Sequence, residues 1–183
     1  MNVEAAASFA HAISTHKVNS EVDFFTAVDD CNPENTTGSA HMGSLEFNSA
    51  TYYRYVSLNL GQLAETLKTD EIQEAVSAFT QALFLAVPSA RQATMSAATP
   101  WNYAIITIRK GQRMQLPFNS PVSVSAKDPD IVKNSIEDLK IRFGKAERMY
   151  GKLFGLKKKM EISAEDGSID DVIAGIESVI ESL

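Results

Sequence analysis

The 183-residue chain contains a single cysteine, Cys31, which excludes an internal disulfide framework and any all-cysteine zinc site and fits a reducing compartment. Long apolar runs are missing too, since residues 82–87 and 103–106 fall far short of the ~20 that cross a bilayer. No lysine or arginine precedes the early alanines, so a secretory leader is not expected, and the chain reads as cytoplasmic with no membrane partner. Positive charge is absent from one long stretch. Between residues 19 and 49 there is no lysine or arginine against six acids, Glu21, Asp23, Asp29, Asp30, Glu34 and Glu46. Charge cannot draw that stretch to phosphate.

A 44% hydrophobic and 22% charged composition is that of a globular chain and excludes wholesale disorder. At ~150 residues per domain the length makes about one unit. The net charge of −6 argues against a general nucleic-acid binder, but the charge is unevenly spread. Residues 133–159 hold nine of the 17 basic residues against three acids, and the tail from Met160 holds seven acids and no base. An electrostatic partner meets a basic stripe beside an acidic end.

Residues 5–18 are ambiguous, with alanines favouring helix while Phe9, Ile13 and the hydroxyl residues alternate as in a strand. The polar stretch 19–49, broken by Asn32-Pro33 and Thr36-Thr37-Gly38-Ser39, is a long excursion with a tip. Residues 50–60 read as a strand, with Tyr52, Val56, Leu58 and Leu60 on one face and Tyr53, Tyr55, Ser57 and Asn59 on the other. Asp70 with Gln73 predicts a capping box for a helix over 70–87, in which Ile72, Val76, Phe79, Leu83 and Ala86 form a four-three stripe before Pro88. Residues 102–109 read as a buried strand. Asp128-Pro129 predicts the start of a long helix whose stripe runs from Val132 through Ile136, Leu139, Phe143, Ala146 and Tyr150 to Leu153. A short piece at 160–162 and a helix capped by Ser168 with Asp171 close the chain.

Four groups of residues in one order carry a resemblance: Ala10-His11-Ala12-Ile13-Ser14-Thr15-His16; Asp23-Phe24-Phe25-Thr26-Ala27-Val28-Asp29-Asp30; Gly38-Ser39-Ala40-His41-Met42-Gly43 with Glu46-Phe47; and Tyr52-Tyr53-Arg54-Tyr55 with Leu58-Asn59-Leu60. Over roughly residues 3–67 the chain resembles the second half of the CasC-type backbone subunits of the type I-E CRISPR Cascade complex. Residues 88–92 extend the match less firmly. The resemblance implies an α+β fold: an incomplete RRM-like (ferredoxin-like) palm over 1–18 and 50–110, a β-hairpin thumb over 19–49, and a C-terminal helical region with an acidic tail over 111–183. It resolves the first element as a strand. It also implies that the palm's first strand and helix and the family's finger region are absent here, as in a fragment or a natural split half. Strand 102–109 would then lack a bonded neighbour, at about 1 to 3 kcal/mol per orphaned backbone group.

The partners implied are guide RNA (crRNA), target DNA indirectly, further copies of the chain, the Cascade subunits CasA, CasB, CasD and CasE, and a separate N-terminal half. The RNA-contacting residues implied are Phe24, Phe25, Thr26, Val28, His41, Met42, Tyr53, Tyr55 and Arg91. Adjacent strand residues point oppositely, so one of Phe24 and Phe25 is free to meet a base while the other packs the thumb base. Pattern alone favours a satellite hydrophobic cluster; the resemblance favours a displaced nucleotide flanked by the thumb, with Met42 as an adaptable wedge. Tyr53 and Tyr55 either stack bases or pack under covering structure. Arg91 is open between a phosphate and a neighbouring subunit. The basic stripe reads first as a solvated face and second as a phosphate track.

Rival chemistry is weaker. Asp23, Asp29 and Asp30 could hold a metal for RNA cleavage, but turn-forming acids are the commoner case, and no enzymatic activity, metal or cofactor is expected. His11, His16 and His41 with Cys31 lack the spacing of a zinc finger. A plain protein-interaction module is the remaining alternative.

Overall fold

A computed structural model of the chain describes residues 5–28, 39–86, 99–125 and 128–181. Mixed helices and antiparallel strand pairs make it α+β, as expected, in two compact units: residues 1–11, 54–117 and 136–183, and residues 12–53 and 118–135. No helix of the described residues is long and apolar enough to cross a membrane.

In the first unit β1 (Ala7–Phe9) pairs antiparallel with β6 (Val56–Leu58). Asn59 then caps α1 (Leu60–Ala64), its side chain accepting from the Gln62 N–H at 3.2 Å. Helix α2 (Thr69–Leu85) starts earlier than Asp70 and Gln73 predicted. Its third residue, Glu71, accepts from the backbone N–H of Lys68 at 2.9 Å, which satisfies a donor the helix leaves unpaired. The four-three stripe holds over its first part: Ile72 and Val76 are buried and Phe79 and Leu83 half-buried, but the helix ends at Leu85 and leaves Ala86 exposed. Thr80 returns its hydroxyl to the Val76 carbonyl at 2.8 Å.

The strand expected to stand unbonded is bonded. Strand β7 (Tyr103–Arg109) pairs antiparallel with β8 (Leu156–Ser163), from Tyr103 opposite Ser163 to Arg109 opposite Leu156, with a bulge between Ile108 and Arg109. The supposedly helical region after residue 111 therefore supplies an eight-residue strand. Leu156, Lys158, Met160 and Ile162 alternate with exposed Lys157, Lys159 and Glu161, and three consecutive lysines hide that alternation in the sequence.

Two helices cover opposite faces of this pair. On one lies α4 (Ile169–Ile180), whose Val172 and Ile176 join Ile72 and Val76 in a core flanked by Ile106, Ile108, Met160 and Ile162. Gly175 lets this helix approach so closely that a methyl group there would run into Met160 Sδ. Ser168 and Asp171 form the expected capping box, with N···O distances of 3.0 and 3.1 Å. On the other face lies α3 (Ile131–Tyr150), whose Phe143 is buried edge-on against Phe154 at 5.4 Å. Lys159 Nζ sits 4.9 Å from the Phe143 ring centre and Lys140 Nζ 4.9 Å from that of Tyr103. Phe154 also accepts from Arg109 Nε at 2.9 Å through its carbonyl, with the guanidinium over its ring.

Helix α3 begins later than Asp128-Pro129 predicted. Asp130 accepts from the Lys133 N–H at 3.0 Å as an N-cap, while Asp128 is taken by a bridge to Ser125. The stripe outruns its cover, leaving Tyr150 and Leu153 exposed. A 3-10 turn (Gly151–Phe154) follows and ends at Gly155, whose φ of 62° and contact with the Lys110 carbonyl leave no room for a side chain.

In the second unit β2 (Ile13–Ser14) pairs with β5 (Tyr52–Tyr53), and β3 (Glu21–Val28) with β4 (Ser39–Phe47). The two strands expected over 5–18 and 50–60 are thus each broken into shorter pieces. Past β2 the pairing continues through other groups: Thr15 N–H donates to Thr51 O at 2.9 Å and Thr51 N–H to His16 Nε2 at 3.1 Å. The other His16 nitrogen, Nδ1, lies 3.0 Å from Lys17 O, so the ring is the neutral tautomer protonated at Nδ1. The buried Thr15 hydroxyl meets that of Ser135 at 2.8 Å.

Candidate nucleic-acid interface

Two-residue periodicity sorts the long hairpin into two faces. Register puts Asp23 with Leu45, Phe25 with Gly43 and Ala27 with His41 on one, and Val22 with Glu46, Phe24 with Ser44 and Thr26 with Met42 on the other. Phe24 (78% exposed) and Met42 (72%) are diagonal neighbours on the second face. On the first, the Phe25 ring lies across Gly43, its tip 2.5 Å from where a Cβ would sit, and 5.9 Å from the His41 ring. Phe25 is still 49% exposed. Neither phenylalanine packs the hairpin's base, as one was expected to do. Val28 ends β3 opposite Ser39, and Thr26 is exposed beside Met42.

The tyrosines divide differently from the sequence reading. Arg54 and Tyr55 interrupt the strand between β5 and β6, so Tyr52 is exposed, its hydroxyl donating to Asn48 Oδ1 at 2.6 Å, while Tyr53 is half-buried 5.0 Å from Phe118. Tyr55 is half-buried as well and accepts from the Met114 N–H at 3.1 Å. Both singled-out tyrosines have the contacts of packing residues. Tyr52, which sequence parity assigned to the apolar face, is the open ring.

Arg91, Asp29, Asp30 and Cys31 lie outside the described residues. His11 is exposed, His16 sits beside β2 and β5, and His41 is on the hairpin; among the described residues no group of His, Cys, Asp and Glu is placed to hold a metal ion.

The basic stripe separates into paired and unpaired cations. Lys133 meets Asp128 at 3.9 Å, Arg142 meets Asp138 at 2.7 Å, and Lys140 and Lys159 both meet Glu161, at 3.1 and 2.6 Å. Burial works against the charged form of Glu161, but hydrogen bonds from Lys159, Tyr103 and Lys140 outweigh it and hold the carboxyl at about 2. Burial and that carboxylate push the Tyr103 hydroxyl well above its usual range. Lys145, Arg148 and Lys152 are exposed and make no ion pair among the described residues.

The profile of the CT1975-like protein family matches residues 1–178. The chain belongs to that family. This CT1975-like chain is also similar to two solved chains. One comes from a "CRISPR RNA-guided surveillance complex, pre-nicking", with 27% identity, a TM-score of 0.77, and coverage of 94% of this chain and 55% of that one. The other comes from a "CRISPR RNA-guided surveillance complex", with 28% identity, a TM-score of 0.73, and coverage of 97% and 70%. The chain thus spans little more than half the length of the first. No curated protein sequence matches it. The CasC-type kinship read from four motifs agrees with these findings, and the α+β fold of this CT1975-like chain, built of helices and small antiparallel strand pairs, is similar to that of the surveillance-complex chains.

Proposed function

We propose that this chain is a non-enzymatic, guide-RNA-binding backbone subunit of a type I-E Cascade complex, lining up in copies along the RNA beside the other Cascade subunits. One observation carries the reading: a family member similar to surveillance-complex chains presents a hairpin with Phe24 and Met42 exposed together on one face and no cation from residue 19 to 49. Attraction to phosphate cannot be the hairpin's task, whereas stacking on an exposed ring is worth about 1 to 3 kcal/mol per base. Two such groups acting together offset the few kcal/mol of unstacking a nucleotide. Phe24 and Met42 act as the wedge, and Phe25, braced over Gly43, offers a second ring on the opposite face. Target sequence is then read by base pairing while the protein fixes geometry.

The test is guide-RNA affinity against salt for the assembled complex carrying this chain, wild type or Phe24→Ala/Met42→Ala. Affinity should fall roughly tenfold or more with an unchanged salt slope, because that slope counts neutralised phosphates. A flattened slope, or unchanged affinity and unchanged nucleotide exposure to chemical probing, overturns the wedge. Metal-dependent cleavage of the bound RNA overturns the non-enzymatic assignment.

A further inference from the structure

Helices α3 and α4 carry opposite charge on their solvent faces. Along α3 and the turn after it, Ile141, Lys145, Arg148 and Lys152 follow one another at four-three-four spacing, all exposed, with Met149 and Leu153 more than four-fifths exposed beside them. On α4 and its C-cap, exposed Asp170 and Ala174, half-buried Glu177 and exposed Glu181, which accepts from Gln73 Nε2 at 3.5 Å, follow at the same spacing on the side away from buried Val172 and Ile176. The two helices lie on opposite faces of the β7–β8 pair, as the Phe143 and Val172 contacts show. Within one chain, therefore, the stripes cannot meet.

We propose that these stripes are the two halves of one interface, the basic α3 face of one copy docking on the acidic α4 face of the next. Matched spacing lets side chains meet in register whichever way the helices run. Antiparallel helices oppose Lys152 with Asp170 and Lys145 with Glu177; parallel helices oppose Arg148 with Glu177 and Lys152 with Glu181. Exposed Ile141, Met149 and Leu153 favour a protein partner over a phosphate track, since they supply apolar area that excludes water from the ion pairs. Because donor and acceptor surfaces differ and face opposite ways, the contact is heterologous and leaves a free half at each end, the geometry of an open row rather than a closed dimer. The inference rests on the proposed function only for its occupant, a second copy.

The experiment measures self-association of the full chain by sedimentation without RNA, and guide-RNA affinity separately. Lys145→Glu/Arg148→Glu/Lys152→Glu and Glu177→Lys/Glu181→Lys should each weaken self-association at least tenfold. A chain carrying both sets of substitutions, or an equimolar mixture of the two variants, should recover association to within a few-fold of wild type, while wild-type association weakens with salt. Unchanged association in either variant overturns the proposal, as does failure of the combined sets to recover it in chains whose circular dichroism matches wild type. Loss of RNA affinity with association intact assigns the α3 face to phosphates and also overturns it. Failure of the wild-type complex to bind guide RNA overturns the proposed function but leaves this interface standing.

Discussion

The molecule contains two long antiparallel strand pairs of similar length, each with a register shift near one end, and they meet opposite fates. The β7–β8 pair has a helix on each face. Ile106, Ile108, Met160 and Ile162 on its α4 side are partly buried against the core, while Lys159 and Glu161 on its α3 side pair with each other at an exposed rim. The β3–β4 pair leaves apolar residues in water on both faces. Two strands alone are marginal in water, so the first pair gains its stability from its covering helices. The second keeps Phe24, Phe25 and Met42 uncovered, at a cost that makes sense where something else covers them. An exposed aromatic is informative here because the same chain shows what it does with a strand pair that it buries against helices.

The largest expected contrast comes from truncating one ring beside the covered pair and one in the open pair. Phe154→Ala empties the core under α3 and should cost about 3 to 5 kcal/mol, whereas Phe24→Ala should stay within about 0.5 kcal/mol. Denaturant unfolding of both variants reads this, and comparable losses would mean that the thumb is packed in solution. Next come the glycines. Gly155→Ala forces a side chain into left-handed backbone against the Lys110 carbonyl and should cost about 1 to 3 kcal/mol in the same measurement.

A smaller effect separates the pairs by pH. Glu161 is held at about 2 against an ordinary value near 4.5, so its contribution to stability is present above pH 4.5 and fades as pH falls toward 2. Tyr103 has the reverse sign, and its contribution fades as pH rises above 10. A pH series of melts should show the acid loss in wild type and a reduced loss in Glu161→Gln. The smallest effect is Gly43→Ala, which needs only the tip of the Phe25 ring to move; stability should change by less than about 1 kcal/mol while the His41 imidazole resonances shift as that ring leaves.

Much of this was legible where one physical signal dominated. The four-three stripe around Ile72 and Val76, the Ser168 and Asp171 capping box and the cation-free hairpin could be read directly. Opposite orientations for Phe24 and Phe25 follow from strand parity alone. What escaped were cases of two signals in conflict. Lys157-Lys158-Lys159 reads as a solvated cluster, yet Lys158 lies half-buried on the core side of β8 with its ammonium carried out to Ser178. Parity failed at Tyr52 and Tyr53 because nothing in Arg54-Tyr55 announces a break in the strand. Asp128 reads as the helix cap, yet a local bridge to Ser125, three residues back, holds its backbone, and Asp130 takes the cap instead.

The His16 imidazole, standing in for a carbonyl opposite Thr51, bears on the order in which the second unit assembles. Thr15 and Thr51 are 36 residues apart, and closing a loop of that length from an open chain costs about 3 kcal/mol in entropy, more than a two-residue ladder and one ring acceptor return. The ten residues between Val28 and Ser39 cost about 1 kcal/mol less to close, after which each added rung shortens the remaining loop. Folding should therefore zip from the far end of the hairpin toward this histidine, which latches last. Removing the latch by His16→Ala should then accelerate unfolding while leaving the folding rate nearly unchanged, the kinetic mark of a contact absent from the transition state.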